Sequence, residues 1–174
     1  MQSPQSWFTV VCLLGAVISL LVVIPAYRNR DKPGATGLLI VAPGASLFSI
    51  AVAPLWTPLP DWAVYSANNA IVTAGFLLGV GWFVTVGEHT ETIFPNRRLF
   101  AVAGVYFALV QGLALTDPLP GLFFFPIYAR PSESLVGLPV PGNIVHILCM
   151  YALAPVGCGL LLSGLLEYNG TPRE

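Results

Sequence analysis

The chain has 174 residues, of which 56% are hydrophobic and only 9% are charged, and its mean hydropathy is +0.79. Soluble domains carry about 25% charged residues, so this composition excludes an ordinary water-soluble fold. It predicts a protein embedded in a lipid bilayer, which accepts apolar side chains but requires that backbone polar groups pair internally. The net charge of −1 says nothing about nucleic acid, but the sequence has no basic stripe, so a nucleic-acid partner is not expected.

Five stretches reach the roughly 20 apolar residues that a membrane-spanning helix needs. They run from about Trp7 to Tyr27, Ala35 to Trp56, Trp62 to Val86, Leu99 to Leu115 and Ile144 to Leu166. A long loop rich in proline and glycine, Asp117 to Gly142, separates the last two. The predicted fold is therefore all-α, with residues 1–174 forming a single polytopic transmembrane bundle of about five helices.

The basic residues predict the orientation of the bundle. No Lys or Arg precedes the first span, whereas Arg28, Arg30 and Lys32 follow it directly. This is typical of a helix that stays in the membrane with its C-terminal end in the cytoplasm, and not of a cleaved signal peptide. Threading five spans from there places six of the seven basic residues inside and Arg130 alone outside. We expect a multi-pass cell-membrane protein with its N-terminus outside and its C-terminus in the cytoplasm.

Small residues recur at intervals of four, which favours close approach of membrane helices. The sets are Gly75 with Gly79, Gly104 with Ala108 and Gly112, and Gly159 with Ser163. We expect packing within one bundle, with homodimerisation through the same faces as the alternative. Three prolines, Pro43, Pro54 and Pro155, predict ordinary kinks in the second and fifth spans.

Uncharged polar residues are the candidate functional groups, because no Asp, Glu, Lys or Arg is predicted in the middle of the membrane. Asn68 and Asn69 lie in the third span, Gln111 in the fourth, and His146 near the start of the fifth. One interpretation is a set of interhelical hydrogen bonds. The other is a small polar pocket that opens outward between these spans and binds an extracellular small ligand.

No catalytic constellation, nucleotide loop or cofactor motif is present, so we expect neither an enzyme nor a cofactor. Glu88, His89 and Glu91 lack the spacing of HExxH, which puts two histidines on one helix face. A metal site is not expected there. The segment is read as a solvated cytoplasmic turn in which Arg97 and Arg98 contact lipid phosphates. Because eight residues follow Leu166 in the sequence, we expect no cytoplasmic catalytic domain.

The layout resembles the N-terminal seven-helix membrane sensor region of prokaryotic histidine kinases over about residues 8 to 168. Four segments carry the resemblance: YRNRDKPGA (27–35), GEHTETIFPNRRL (87–99), LTDPLPGLFF (115–124) and HILCMYALAPVGCGLLL (146–162). Five of the family's seven helices are predicted, and its kinase and phospho-acceptor domains have no counterpart in these residues. The resemblance implies a sensing module that is truncated or that acts through a partner signalling protein.

Three hypotheses about function follow. The first is a non-catalytic membrane sensor and signal-relay module, in which an external ligand biases helix packing. The second is a small transporter or channel subunit, which the lack of intramembrane charge disfavours. The third is a membrane enzyme, which the empty set of catalytic groups disfavours.

Overall fold

The protein is described by a computed structural model, which covers residues 4–56, 60–91, 97–116, 148–149, 152–153 and 155–163. Apart from short turns, these residues are helical, and no strand occurs among them. The predicted all-α class is confirmed. The chain's apolar stretches form helices because a helix satisfies every backbone group within one segment, which lipid requires.

Four α-helices have defined bounds. They are α1 (Pro4–Arg28), α2 (Ala35–Val52), α3 (Asp61–His89) and α4 (Arg97–Thr116). A short 3₁₀ turn, Ala53–Trp56, extends α2. The described residues between 148 and 163 are also helical, and we call them the C-terminal segment.

Among the residues that the structure describes, three helical stretches are long and apolar enough to cross a membrane: Trp7–Arg28, Ala35–Val52 and Ser66–His89. The chain is therefore a membrane protein. The predicted fourth and fifth spans correspond in position to α4 and to the C-terminal segment. Their insertion, the total of five spans and the orientation of the bundle stay predictions.

Glycine residues bring α2 and α3 into backbone contact. A methyl group at Gly37 would collide with the backbone nitrogen of Thr85 in α3. A Cβ at Gly81 would lie 2.8 Å from the backbone nitrogen of Val41, and one at Gly44 would lie 2.8 Å from the Cβ of Leu77. Neither helix has room for a side chain at these positions, so this interface is closely packed along most of α2.

The small residues that the sequence analysis singled out are not the ones at which α2 and α3 meet. A Cβ at Gly75, Gly104, Gly112 or Gly159 would meet no described atom within 4 Å. The pairing of α2 with α3 uses Gly37 and Gly44 instead, which are seven residues apart and therefore lie on one face two turns apart. Homodimerisation through the open glycines stays a prediction.

α1 packs against α2 and leaves most of its surface open. A Cβ at Gly15 would come within 3.6 Å of the Ser49 hydroxyl, and the Thr9 hydroxyl donates a hydrogen bond to the Ala53 carbonyl at 3.3 Å. Large apolar side chains such as Ile18 and Leu21 are more than half exposed. In a bilayer these side chains meet lipid, which is as apolar as they are.

The structure corrects the prediction at one proline, Pro54. Pro43 lies inside α2, which continues through it, and Pro25 lies inside α1 near its end. Pro54 lies in the 3₁₀ turn that follows α2, so it belongs to the end of the helix and not to a kink within it. Pro155 begins the last described stretch, and its kink lies outside the described residues.

One end of the bundle gathers the described basic side chains, and we call it the basic end. α1 finishes there at Arg28, α4 begins there at Arg97, and the turn from Asn29 to Gly34 connects α1 with α2. Gly34 has φ +86°, a conformation that L side chains rarely adopt, and a Cβ on it would lie 2.8 Å from Nδ1 of His89. The turn therefore depends on glycine both for its backbone and for its contact with α3.

Candidate ligand site between α3 and α4

A chain of hydrogen bonds joins α4 to α3. Nε2 of Gln111 donates to the hydroxyl of Thr73 at 2.9 Å, and that hydroxyl donates to the backbone carbonyl of Asn69 at 3.0 Å. Thr73 is four residues after Asn69, so its side chain reaches the carbonyl one turn earlier in the same helix. Two of the predicted site residues, Asn69 and Gln111, are thereby connected through a residue that the sequence analysis did not single out.

The chain of bonds fixes the orientation of the Gln111 amide. A threonine hydroxyl has one hydrogen, and here that hydrogen is engaged with the Asn69 carbonyl. The Thr73 oxygen is then only an acceptor toward Gln111, so the NH₂ group of Gln111 and not its oxygen faces it. The polar contact between the helices is therefore directional.

Asn69 carries the unusual group of this site. Its side-chain oxygen, Oδ1, is buried and accepts no hydrogen bond within the part of the chain that the structure describes. Leaving a buried acceptor unpaired costs about 1–3 kcal/mol. A hydrogen-bond donor from another molecule would therefore gain the most binding free energy at Asn69.

Aromatic rings lie beside the polar chain on the same pair of helices. Phe76 of α3 is buried, with its ring centroid 4.8 Å from that of Phe107 and 6.2 Å from that of Tyr106 in α4. These spacings are in the range that aromatic pairs prefer. The site thus combines amide and hydroxyl groups with an aromatic wall one turn further along α3.

Asn68 points away from this interface. Neighbouring residues in a helix are rotated by about 100°, so Asn68 shares the face of Val86, which lies about five turns further along α3. That face meets the C-terminal segment, since a Cβ at Gly157 would lie 2.8 Å from Nε1 of Trp82 and 3.5 Å from Val86. Asn69 therefore lies on the face of α3 toward α4 and Asn68 on the face toward the C-terminal segment, and their sharing of one pocket stays a prediction.

His146 lies outside the described residues, so its place in the predicted pocket stays a prediction. The C-terminal segment does reach α4, because the Cys149 thiol is within hydrogen-bonding reach of the Tyr106 hydroxyl. It thus contacts α4 at Tyr106 and α3 at Trp82. A pocket between the third, fourth and fifth predicted spans stays a prediction.

The acidic residues near the basic end form no metal site within the described parts of the chain, where no three His, Cys, Asp or Glu side chains lie together. Oε2 of Glu88 is buried and has no described hydrogen-bond partner. Glu88 follows Ala74 and Gly81 at intervals of seven, and therefore lies on the face of α3 that packs against α2. His89 occupies the space beside Gly34.

These observations define a class of protein: an all-helical membrane domain with an uncharged polar site between its helices. The family model for the N-terminal 7TM region of histidine kinase matches residues 11–174. The chain belongs to this family, and the resemblance that its loop motifs suggested is confirmed. That region is a non-catalytic input domain of membrane-bound kinases.

Comparison with curated proteins and with solved structures gives no match.

Proposed function

We propose that the chain is a multi-pass cell-membrane sensor and signal-relay module that binds a small ligand from outside at Asn69, Thr73 and Gln111. Membership of the histidine-kinase input family supports the sensory role. The observation that carries the ligand site is the buried, unpaired Oδ1 of Asn69 beside the hydrogen-bond chain to Gln111. The module passes its signal to a partner signalling protein or to a second copy of this chain.

Unequal packing of the helices suggests how such a signal is relayed. α2 and α3 meet backbone to backbone at Gly37 and Gly81, so they move as one body. α4 meets α3 through side chains, at Phe76 and at the Gln111–Thr73 hydrogen bond. A ligand at Asn69 would bias the position of α4 against α3, and α4 begins at Arg97 on the basic end, which is the predicted cytoplasmic side.

Hydrogen bonding to Asn69 is too weak to drive this change alone. Moving a two-state equilibrium from 1:99 to 99:1 needs about a 10⁴-fold difference in affinity between the states. One hydrogen bond contributes about 0.5–1.5 kcal/mol, and 1.4 kcal/mol is only tenfold. The rest must come from packing that differs between the states, and the rings of Phe76 and Phe107 offer the largest such surface.

Asn68 and His146 are proposed as secondary members of the site. Asn68 shares the α3 face that meets the C-terminal segment, and His146 precedes that segment in sequence. Both would contact a ligand that extends from Asn69 toward the C-terminal segment. Replacing Asn68 with Leu should weaken binding less than the same change at Asn69.

A distance measurement tests the relay. Spin labels at Lys32→Cys and Arg98→Cys, in a protein whose three native cysteines are replaced by Ala, report on α4 relative to α2 at the basic end in lipid nanodiscs. A panel of small extracellular metabolites is screened for thermal stabilisation, and each stabilising compound is added to the labelled protein. We expect a shift in the distance distribution that Asn69→Leu abolishes.

Two results would contradict the proposal. One is stabilisation by a compound without any change in the distance distribution, which would leave a binding protein that relays nothing. The other is compound-dependent flux across proteoliposomes, which would indicate the small transporter or channel subunit.

A further inference from the structure

We infer that the site between α3 and α4 takes a neutral amphiphile with a hydroxyl donor on an apolar, preferably aromatic, body. The inference rests on the proposed function and names its ligand class. It starts from the juxtaposition of an unpaired buried acceptor at Asn69 with the rings of Phe76 and Phe107.

The ligand is neutral because the helices around the site carry no charge to pair with it. From Trp62 to Gly87 and from Leu99 to Thr116 the sequence contains no Asp, Glu, Lys or Arg. An ion in this apolar region would lose its hydration without gaining a counter-ion, which is strongly unfavourable. Amides and hydroxyls remain to recognise it, and these bind neutral groups well.

The ligand is a donor because Asn69 presents an acceptor. Oδ1 is a carbonyl-type oxygen and cannot donate, and no described group donates to it. Thr73 does not compensate for it, since its hydrogen is directed to the Asn69 backbone carbonyl. The Gln111 NH₂ group donates one hydrogen to Thr73 and makes no hydrogen bond to Oδ1. A hydroxyl therefore fits, whereas an ether or ester oxygen would face another oxygen.

The body of the ligand is apolar and preferably aromatic because the aromatic rings of Phe76 and Phe107 follow the polar groups along the helices. Phe76 is two turns after Asn69 on α3, and its ring is tilted by 32° to that of Phe107. A third ring can stack or meet the edge of this pair, which adds to the burial of apolar area. The ligand would lie along α3 with its hydroxyl at Asn69.

Such molecules reach the site from water or from the lipid, and the experiment distinguishes these sources. 4-Fluorobenzyl alcohol is added from water, and a fluorinated long-chain fatty alcohol is mixed into the nanodisc lipid beforehand. Each alcohol is paired with its methyl ether, which has nearly the same shape but no donor. Binding is measured by ¹⁹F NMR with wild type, Asn69→Leu and the control variant Ser66→Ala, whose exposed hydroxyl bonds to the Trp62 carbonyl within α3.

We expect at least one alcohol to bind wild type about tenfold more tightly than its ether, consistent with one hydrogen bond. Asn69→Leu should remove that preference and Ser66→Ala should keep it. The comparison of alcohol with ether in wild type needs no variant, so it holds even where a variant folds poorly. If the alcohol added from water shows the preference over its ether, the ligand reaches the site from water. If the fatty alcohol shows it, the ligand reaches the site from the lipid.

Equal binding of alcohol and ether overturns the inference, and so does a preference that persists in Asn69→Leu. Absence of binding by both alcohols also overturns it. A dimer that dissociates on Asn69→Leu would show that a second copy supplies the donor, which again overturns it. Failure of the ligand class is distinguishable from failure of the proposed function, because other compounds of the metabolite panel would still shift the Lys32–Arg98 distance.

Discussion

Gly37 determines how closely α2 approaches α3. The backbone nitrogen of Thr85 and the carbonyl oxygen of Gly81 occupy the space that a Cβ would need, and backbone atoms cannot rotate away as a side chain would. We expect Gly37→Ala to lower the free energy of unfolding by about 1–3 kcal/mol through overpacking. Thermal unfolding in detergent, followed by circular dichroism, measures the change.

Gly104→Ala is the matched control for this prediction. Gly104 is exposed, and a Cβ there would meet no described atom within 4 Å. We expect its stability to stay within about 0.5 kcal/mol of wild type. Equal losses in the two variants would show that glycine at these positions matters for helix dynamics and not for contact.

Thr73 connects the two helices of the candidate site. Thr73→Val keeps the side-chain shape but removes the acceptor for Gln111, so the amide of Gln111 loses its partner. We expect a loss of about 0.6 kcal/mol and at most roughly 1.7, the range found for hydrogen bonds between membrane helices. Unfolding in SDS titrations gives the value.

Ser66→Ala provides the reference for Thr73→Val. The Ser66 hydroxyl donates only to the Trp62 carbonyl, one turn earlier in the same helix, and the residue is exposed. Its removal should leave stability unchanged. A loss as large as that of Thr73→Val would mean that the bond within α3 matters and the bond to Gln111 does not.

Sequence reasoning identified Asn69 and Gln111 but not the way in which they are joined. Both are uncharged polar groups in apolar stretches, and the energetic cost of burying such groups marks them without any structure. Thr73 was missed because threonine commonly bonds within its own helix. Asn68 lies about 100° around α3 from Asn69, and which neighbouring helix each side chain faces could not be read from the sequence.

α4 is held less firmly than α2 at the scale of helices. Its described contacts with α3 are made by side chains, chiefly Phe76 with Tyr106 and Phe107. We expect Phe76→Ala to lower the free energy of unfolding by about 1–3 kcal/mol. This is less than the roughly 3–5 kcal/mol of a water-soluble core, because lipid solvates the Phe76 ring when α3 and α4 separate. Hydrogen exchange should rise in α4 amides and not in α2.

Leu109→Ala is the control for that helix. Leu109 is 61% exposed and lies two residues after Phe107, about 200° around α4 from that ring. Its removal should change neither stability nor exchange in α4 by more than the error. Faster exchange throughout α2 and α3 in Phe76→Ala would contradict the view that those two helices form one body.

Hydropathy predicts which residues form helices but not which helix faces meet. A span is marked by its length and apolar composition, and these follow directly from the thickness of the bilayer. Glycine spacing is ambiguous because every helix here carries small residues. The pair used by α2 and α3 is set by the fit of side chains such as Val41 and Leu77 around the glycines, which depends on both partners at once.

At the scale of the whole molecule, the distribution of basic residues predicts orientation. Arg28, Arg30, Lys32, Arg97 and Arg98 lie at the basic end, because α1 ends there and α4 begins there. Pro60 lies just before α3 at the opposite end and is exposed. Since basic residues are retained in the cytoplasm during insertion, the basic end should be cytoplasmic.

Single cysteines test this orientation in a background with Cys12, Cys149 and Cys158 replaced by Ala. In intact cells a membrane-impermeant maleimide should label Pro60→Cys at once, whereas Lys32→Cys and Arg98→Cys should react only after permeabilisation. The reverse result would place the basic end outside and would move the candidate ligand site to the cytoplasmic half of the membrane. Labelling of Lys32→Cys and Pro60→Cys from the same side would show that α2 does not cross the bilayer.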